Sequence, residues 1–524
     1  MKKAAIFLAL LAFAGSAASA EPVEIPVTVT PGVQGPLSGR LIVFAHRVEP
    51  GAPPETAIDA SWFTPTETAV AAREVEAMRP GQITTVDGET DTSPMPFSAL
   101  PPGTYRVQAV LDRNHDYDYS GRGEGDIVSP VVETRLPGHV PDLILIATLP
   151  ASDPTAAFAR LPEAQRAGRR AAYDAAVAVD FVSPKLSAFW GRPIHMRGWI
   201  ALPPGYRANG PGFPVVYQTH GFGGGLASSR MNAAIARVRM EAGDWPAMIW
   251  VCLDQSSATG THEFADSANN GPWGEALTSE LIPWLEAHYR MDARASGRFL
   301  TGHSSGGWAT LWLQTRYPAT FGGTWSTSPD PSDFHDFTNV DLYAPGANAY
   351  RRADGSPTPL VRDHGRQIAT LEQFARLENV LGAYGGQFAS FDWVFSPRGP
   401  DGRPQQMFDR ATGAVNPEIA AYWRDHYDIA WRLEHNWPAL RRNLDGKIHI
   451  YVGTADTFHL DGSVHRLQAV LNRLGARASI TFIPDRTHFD LFEQPGDPMG
   501  LMRDITWAMY AVARPGSHPP ARAP

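Results

Sequence analysis

Gly302-His303-Ser304-Ser305-Gly306 decides how this chain reads. It follows a short apolar run, Arg298-Phe299-Leu300-Thr301, and precedes a segment with helical spacing, Trp308 to Tyr317. A strand, a sharp turn carrying a serine between two glycines, and then a helix make a nucleophile elbow. The flanking glycines suit a tight turn that neighbouring backbone approaches closely, where a Cβ would clash. Ser304 is thereby expected to present its hydroxyl at the top of a sheet.

Outward from the elbow, strand-like and helix-like stretches alternate from about residue 181. Expected strands are Ile194 to Leu202, Val215 to Thr219, Met248 to Leu253, Gly323 to Ser326, Ile448 to Val452 and Ile480 to Ile483. Expected helices are Met231 to Ala242, Trp273 to Tyr289 and Gly462 to Leu474. This alternation predicts an α/β unit with a mostly parallel sheet covered on both faces. One connection, about 110 residues from Asp330 to Leu440, is too long for an ordinary loop. It carries Tyr350, Phe374, Tyr384, Phe391, Trp393, Trp423, Tyr427 and Trp431. The expectation is a cap-like insertion, 330–440, with its own helices. Most of these aromatics should fill its core and a few should line a pocket.

Serine is a weak nucleophile at its free pKa and needs a base, which in turn needs an orienting carboxylate. In α/β-hydrolases the chain order is serine, acid, histidine. Downstream of Ser304, the strand Ile448 to Val452 runs into Gly453-Thr454-Ala455-Asp456, and the strand Ile480 to Ile483 into Pro484-Asp485-Arg486-Thr487-His488. Both loops open at strand carboxyl ends, the edge where site residues collect. Ser304, Asp456 and His488 are therefore the expected catalytic set. Asp461 and Asp485 are the alternative acids, and His459 and His465 the nearby competing histidines among 17. The oxyanion needs donors too. The strand Val215 to Thr219 leads into His220-Gly221-Phe222-Gly223-Gly224-Gly225. This H-G-x-G-G-G turn is expected to offer the Phe222 N–H, with Gly223 as second choice, beside the N–H of Ser305. His220, Gly221, Gly223, His303 and Trp273 are expected around the substrate pocket. The polar stretch His262 to Gly274 either lines that pocket or caps a helix.

Residues 21–150 alternate apolar and polar between Pro/Gly turns, as in Val23 to Val29, Leu41 to His46, Tyr105 to Leu111 and Leu143 to Ala147. They predict a small β-sandwich. Residues 151–180, Ala/Arg-rich, predict a linker helix; 181–514 form the catalytic unit and 515–524 a disordered tail. Asp112, Asn114, Asp116 and Asp118 have the alternate spacing of a calcium loop. However, Tyr117 stands where glycine would allow the sharp turn, and no glutamate closes the twelfth position. A solvated acidic hairpin is the preferred reading, with no metal. No helix follows Gly121-x-Gly123-x-Gly125, so it is not a dinucleotide motif, and no cofactor is expected.

The chain has 524 residues and a net charge of −9, which advertises no basic surface for nucleic acid. Lys2-Lys3, the apolar Ala4 to Gly15 and Ala18-Ser19-Ala20 have the layout of a signal peptide, residues 1–20. The apolar stretch, about a dozen residues, falls short of the roughly 20 that cross a bilayer. A periplasmic or secreted protein without a membrane anchor after cleavage is expected. The single cysteine, Cys252, sits in an apolar strand and reads as an inert core thiol.

Leu202-Pro203-Pro204-Gly205-Tyr206, His220-Gly221, Gly302-His303-Ser304-Ser305-Gly306-Gly307, Gly453-Thr454-Ala455-Asp456 and His488 together resemble one esterase family of α/β-hydrolases. It includes esterase D (S-formylglutathione hydrolase), enterochelin esterase, feruloyl esterases and the mycolyltransferases. The resemblance covers roughly 181–512. It implies an α/β-hydrolase fold and hydrolysis of a small-molecule ester by Ser304, His488 and Asp456. The N-terminal region resembles that of enterochelin-esterase-like proteins, and the insertion departs from compact members. An acyltransferase, a peptidase, and a glycan- or siderophore-binding protein with a vestigial site are the competing functions.

Overall fold

The computed structural model describes residues 21–382 and 386–520. The expected leader, Tyr384 of the insertion and the last four residues of the tail lie outside them. Eight strands form the central sheet: β1 (Val177–Val182), β2 (His195–Ala201), β3 (Val215–Thr219), β4 (Ile249–Leu253), β5 (Arg298–His303), β6 (Gly323–Thr327), β7 (Ile448–Gly453) and β8 (Ala478–Ile483). Their order is β1-β2-β4-β3-β5-β6-β7-β8. β2 is antiparallel to both its neighbours, and every other pairing is parallel. Alternate residues serve opposite faces. Val216, Trp250 and Phe299 meet the helices Leu226–Glu241 and Gly500–Ala513. Tyr217, Val251 and Leu300 pack with Leu277, Leu281 and Leu285 on the other side. The parallel strands all end at one edge, and the loops that leave it carry Ser304, Asp456, His488 and the 220–225 turn.

Two expectations along the chain are corrected. The linker helix was expected to run to residue 180, but helix ends at Asp174 and Val177–Val182 is the edge strand β1. Its alternating, β-branched residues favour a pleat over a helix once β2 offers backbone partners. The short helix Glu163–Asp174 is also no free linker: Phe158, Ala172 and Tyr173 pack against Ala234. The expected single helix from Trp273 is interrupted by a wide π-turn at Leu277–Leu281 before Ile282–His288. Pro283, with no N–H to donate, sits just after it.

The N-terminal region holds a three-stranded sheet (Glu24–Val29, Ile83–Asp87, Leu143–Leu145) and a seven-stranded one built on Leu37–Arg47, Thr68–Met78 and Gly103–Asp112. Both sheets contribute to one apolar core, including Ile25, Val27, Leu41, Ala71, Val107 and Leu145. The larger sheet is covered on its other face as well. Ile42, Phe44, Val70 and Ala72 bury Leu377, Val380 and Leu381 of the insertion, and Arg40 Nε donates to the Val380 carbonyl at 2.9 Å. The insertion does hold its own secondary structure, a hairpin (Pro359–Asp363 with Arg366–Thr370) and the helices Leu371–Leu381, Gln387–Phe395, Pro417–Tyr427 and Ile429–Leu444. Tyr350, Phe374, Phe391, Trp423 and Tyr427 join Trp308 and Trp312 of the elbow helix, Ser305–Arg316, in its core. That helix is consequently buried along almost its whole length. At the chain's end, residues 515–520 are described, and the Pro520 carbonyl accepts from Arg503 Nη2 at 2.7 Å.

Candidate active site

β5 delivers Ser304 into a turn with φ 60° and ψ −127°. Such a conformation costs on the order of 1–3 kcal/mol for a residue with a Cβ. The surrounding backbone holds it: Ser304 N donates to Thr327 O at 3.1 Å, and its carbonyl accepts from Trp308 N at 3.0 Å and Asp330 N at 3.2 Å. The glycines act as expected. A Cβ on Gly302 would stand 2.2 Å from Gly306 O, and one on Gly306 would stand 2.6 Å from His220 O. Gly306 is thus the joint at which the elbow meets the 220–225 turn.

His488 lies beside the elbow. Its Nδ1 is 2.9 Å from Asp456 Oδ2, and the two side chains are 4% and 0% exposed. The other oxygen, Asp456 Oδ1, accepts from Phe458 N at 3.0 Å and Leu460 N at 3.3 Å. Burial acts to raise the Asp456 carboxyl, but the facing imidazole and these N–H donors outweigh it and hold it below the usual carboxylate range. It is therefore an anion at neutral pH, suited to fixing the Nδ1–H tautomer of His488 and leaving Nε2 as the basic nitrogen. The His303 ring is 4.3 Å from that of His488. Burial pushes His303 down to about 3, so it faces His488 as a neutral ring and adds no repulsion when His488 takes a proton.

Ser304, His488, His303, His220, Gly221, Phe222 and Gly223 all line one cavity of about 410 Å³. No Ser304–His488 hydrogen bond is formed among the described residues. Instead, Ser304 Oγ is 3.4 Å from Asp330 Oδ1, and Ser305 Oγ donates to Asp330 Oδ2 at 2.5 Å. Burial pushes Asp330 up to about 6, against the lowering effect of the Ser305 hydroxyl. Sequence reasoning missed this residue. The signal was present, since Asp330 stands just past the carboxyl end of β6, the same position relative to a strand that drew attention to Asp456.

The 220–225 turn closes with Gly224 N donating to Gly221 O at 3.2 Å. Its base is tied to β4's exit: Gln255 N donates to His220 Nε2 at 3.0 Å, and Gln255 Nε2 donates to the His220 carbonyl. A Cβ on Gly221 would lie 3.1 Å from that of Ser304, so the second residue of the turn packs directly against Ser304. The N–H groups of Phe222 and Ser305 have no hydrogen-bond acceptor among the described residues. The rest of the cavity wall comes from elsewhere: Trp62 and Phe63 of the N-terminal region, Phe374 and Glu378 of the insertion, and Phe458 and Phe489 beside His488.

Other expected residues fall outside this cavity. Trp273 was expected in the pocket but stacks on His262 with ring centroids 3.6 Å apart. It lines a separate cleft with Trp190, Asn270 and Trp393. Its indole N–H is satisfied by Asn270 O at 2.9 Å, which keeps the ring there. In the stretch His262 to Gly274, Asp266 accepts from Glu275 N and Tyr317 Oη, and Ser267 Oγ accepts from Asn269 N and Asn270 N. Asp461 pairs with Arg362, His465 stacks on Phe482, and His459 starts a helix. In the acidic run 112–118 the Asp112 and Asp118 carboxylates meet backbone N–H groups. Asp112 accepts from Asn114 N and Tyr117 N, and Asp118 accepts from Gly386 N. Among the described residues, no group of three or more His, Cys, Asp or Glu could hold a metal ion. No helix among them is long and apolar enough to cross a membrane. Cys252 is buried in β4, and burial raises its thiol pKa.

The profile of a family described as "Putative esterase" matches residues 190–486, more than half the chain. The chain belongs to this esterase family. Two curated relatives, Esterase MT1326 and Esterase Rv1288 from two strains of Mycobacterium tuberculosis, are each 29% identical over 154 residues. That alignment covers 28% of this chain and 33% of each relative, so the chain spans about a third of the curated relatives it matches. Similar solved structures include a ferulic acid esterase, with TM-score 0.38 and 12% identity over 65% of this chain and 97% of that one. Another is the S-formylglutathione hydrolase FrmB from Staphylococcus aureus, with TM-score 0.36 and 11% identity over 65% and 99%. The esterase match ends two residues before His488 and leaves the whole N-terminal region uncovered.

Proposed function

We propose that this esterase-family protein is an exported serine esterase that cleaves carboxylic esters through an acyl-enzyme. The observation that carries the reading is the buried His488–Asp456 pair, whose His488 lines the same cavity as Ser304, a serine held at positive φ on its turn. In the reaction, Ser304 Oγ swings from Asp330 toward His488, passes its proton to Nε2 and adds to the ester carbonyl. The N–H groups of Phe222 and Ser305 hold the oxygen that becomes negative. Protonated His488, steadied by Asp456, hands its proton to the leaving alkoxide as the C–O bond breaks. Water then repeats the sequence on the acyl-enzyme: His488 takes its proton, the acyl carbon takes its hydroxyl, and Ser304 leaves with the proton returned.

The substrate we propose is a small aryl, carbohydrate or siderophore ester with a flat or apolar face to set against aromatic rings. Trp62, Phe63, Phe374, Phe458 and Phe489 give the cavity aromatic walls, and Phe63 and Phe489 are 39% and 62% exposed at 5.5 Å from each other. Export rests on the leader-like residues 1–20. The two N-terminal sheets that share a core support a β-sandwich-like unit over 21–150. The test is turnover of p-nitrophenyl, feruloyl, acetyl-sugar and siderophore esters by the purified protein and by Ser304→Ala. Turnover of at least one ester by the wild type and none by the variant is expected. Equal turnover by both, or none by the wild type, contradicts the proposal.

A further inference from the structure

The 220–225 turn is held at two ends by different parts of the molecule. Its near end is fixed by the sheet, through Gln255 and His220. Its far end meets a residue of the N-terminal region, Tyr119, which lies outside the segment that matches the esterase family. The Tyr119 hydroxyl donates to the Gly224 carbonyl. Its ring packs edge-on against Phe222, with centroids 4.9 Å apart at 82°. Its own carbonyl lies 3.3 Å from where a Cβ on Gly223 would stand, and Gly223 has φ +79°. One tyrosine therefore touches the Phe222 ring, the positive-φ residue Gly223 and the Gly224 carbonyl of a turn whose other end touches Ser304.

Tyr119 is itself rigidly placed. Tyr117 Oη donates to Asp59 at 2.6 Å and Arg122 Nε to the same oxygen at 2.7 Å, while Asp112 accepts from Tyr117 N at 3.1 Å. The neighbouring Asp118 accepts from Gly386 N of the insertion, where Glu378 also receives Phe388 N at 3.1 Å. The acidic run that resembled a metal loop is thus a bracket between the candidate oxyanion turn and the insertion.

We propose that Tyr119 is a positioning residue for ester cleavage: it fixes the 220–225 turn so that the Phe222 N–H meets the developing oxyanion, which makes the N-terminal region part of the active site. The inference rests on the esterase reading above and adds a residue the family match does not cover. A group that aligns a donor acts on the transition state more than on the bound ester. Loss of Tyr119 should therefore lower kcat and leave KM nearly unchanged.

The experiment compares wild type, Tyr119→Phe and Tyr119→Ala on one p-nitrophenyl ester. Three things are measured: kcat and KM, inhibition by a phenylboronic acid that adds to Ser304 as a tetrahedral anion, and the thermal midpoint. Removing an oxyanion donor outright costs about 10²–10³ in kcat, so misaligning one should cost about 5–10-fold in Tyr119→Phe and more in Tyr119→Ala. KM should stay within about twofold, and boronate affinity should fall in step with kcat/KM, since that ratio reports transition-state binding. Tyr119→Phe retains the ring contact with Phe222 and decides the matter if Tyr119→Ala melts early. Unchanged kcat and boronate affinity in Tyr119→Phe, with the wild type active and labelled at Ser304 by a fluorophosphonate, overturns the inference alone. A rise in KM with kcat intact also overturns it. A wild type that neither turns over ester nor takes the label overturns the esterase reading and this inference together.

Discussion

The two turns that flank the reacting position are built in opposite ways. The elbow at Ser304 is held by its own neighbours: the end of β6, the first turn of its helix, and glycines at 302 and 306 that let backbone approach within a Cβ's radius. The 220–225 turn closes on itself, with Gly224 N donating to Gly221 O and His220 Nδ1 2.8 Å from the same carbonyl, but it also leans on side chains from elsewhere. It borrows Gln255 from the sheet edge and Tyr119 from a region more than a hundred residues upstream. A turn held by its own backbone keeps its shape wherever the fold forms. One held by a distant side chain depends on how two regions pack, and is the part of the site an added domain can alter.

The largest effects should come from the elbow side. Ser304→Ala should lower kcat by roughly 10⁶-fold and Asp456→Asn by roughly 10⁴-fold, read in a p-nitrophenyl ester assay, by analogy with serine proteases whose serine or orienting aspartate is replaced. An Asp456→Asn enzyme with near-normal kcat would transfer the role of acid to another carboxylate, Asp330 first. Next comes the joint between the turns. Gly306→Ala puts a methyl 2.6 Å from His220 O and should destabilise the protein by about 1–3 kcal/mol while displacing both turns. A normal denaturation midpoint in that variant would show that the two turns have room to separate.

A smaller effect concerns the bracket. Burial raises Asp118 to about 7 from 3.8 and Glu378 to about 8 from 4.5. Both are protonated in the fold and ionised in the unfolded chain at pH 6. Their contribution to stability is fully present below about pH 4 and is lost as pH rises through about 7 and 8. The thermal midpoint of the wild type should therefore fall between pH 4 and pH 7 more than that of Asp118→Asn, which cannot ionise there. Parallel pH curves would place Asp118 in a more polar setting than its burial implies. The smallest effect is expected at Trp273. Trp273→Ala should leave kcat/KM on a small ester within about twofold, because the ring lines another cleft, while lowering the thermal midpoint through loss of its stack on His262. A selective loss of activity would return Trp273 to the substrate cavity.

The same contrast governs what could be read from the amino-acid sequence. The elbow, and the strand ends that carry Asp456 and His488, leave local marks: glycines at fixed offsets, and an acid or a histidine just past an apolar run. Asp330 leaves the same mark, but the serine, acid, histidine order points to acids on the later strands. Thr68–Met78 carries no strand signal because it is Ala- and Glu-rich and its apolar residues do not alternate. Ala69 and Ala71 face one core and Val70 and Ala72 another, so both sides are apolar. Tyr119 and Asp118 leave no local mark at all. Their partners are 105 and 268 residues away, and nothing in Asp-Tyr-Asp-Tyr distinguishes a bracket from a solvated hairpin. Trp273 shows the converse: it lies near the site in sequence order, but its ring is held by His262 and Asn270.

Peptide mapping after reaction with a fluorophosphonate bears most directly on the central claim, that a serine at 304 is activated by the imidazole at 488. The account predicts one adduct, on Ser304, formed at least a hundredfold more slowly in His488→Ala, as expected when the general base is removed. An adduct on another residue, or labelling of Ser304 at an undiminished rate without His488, would contradict it.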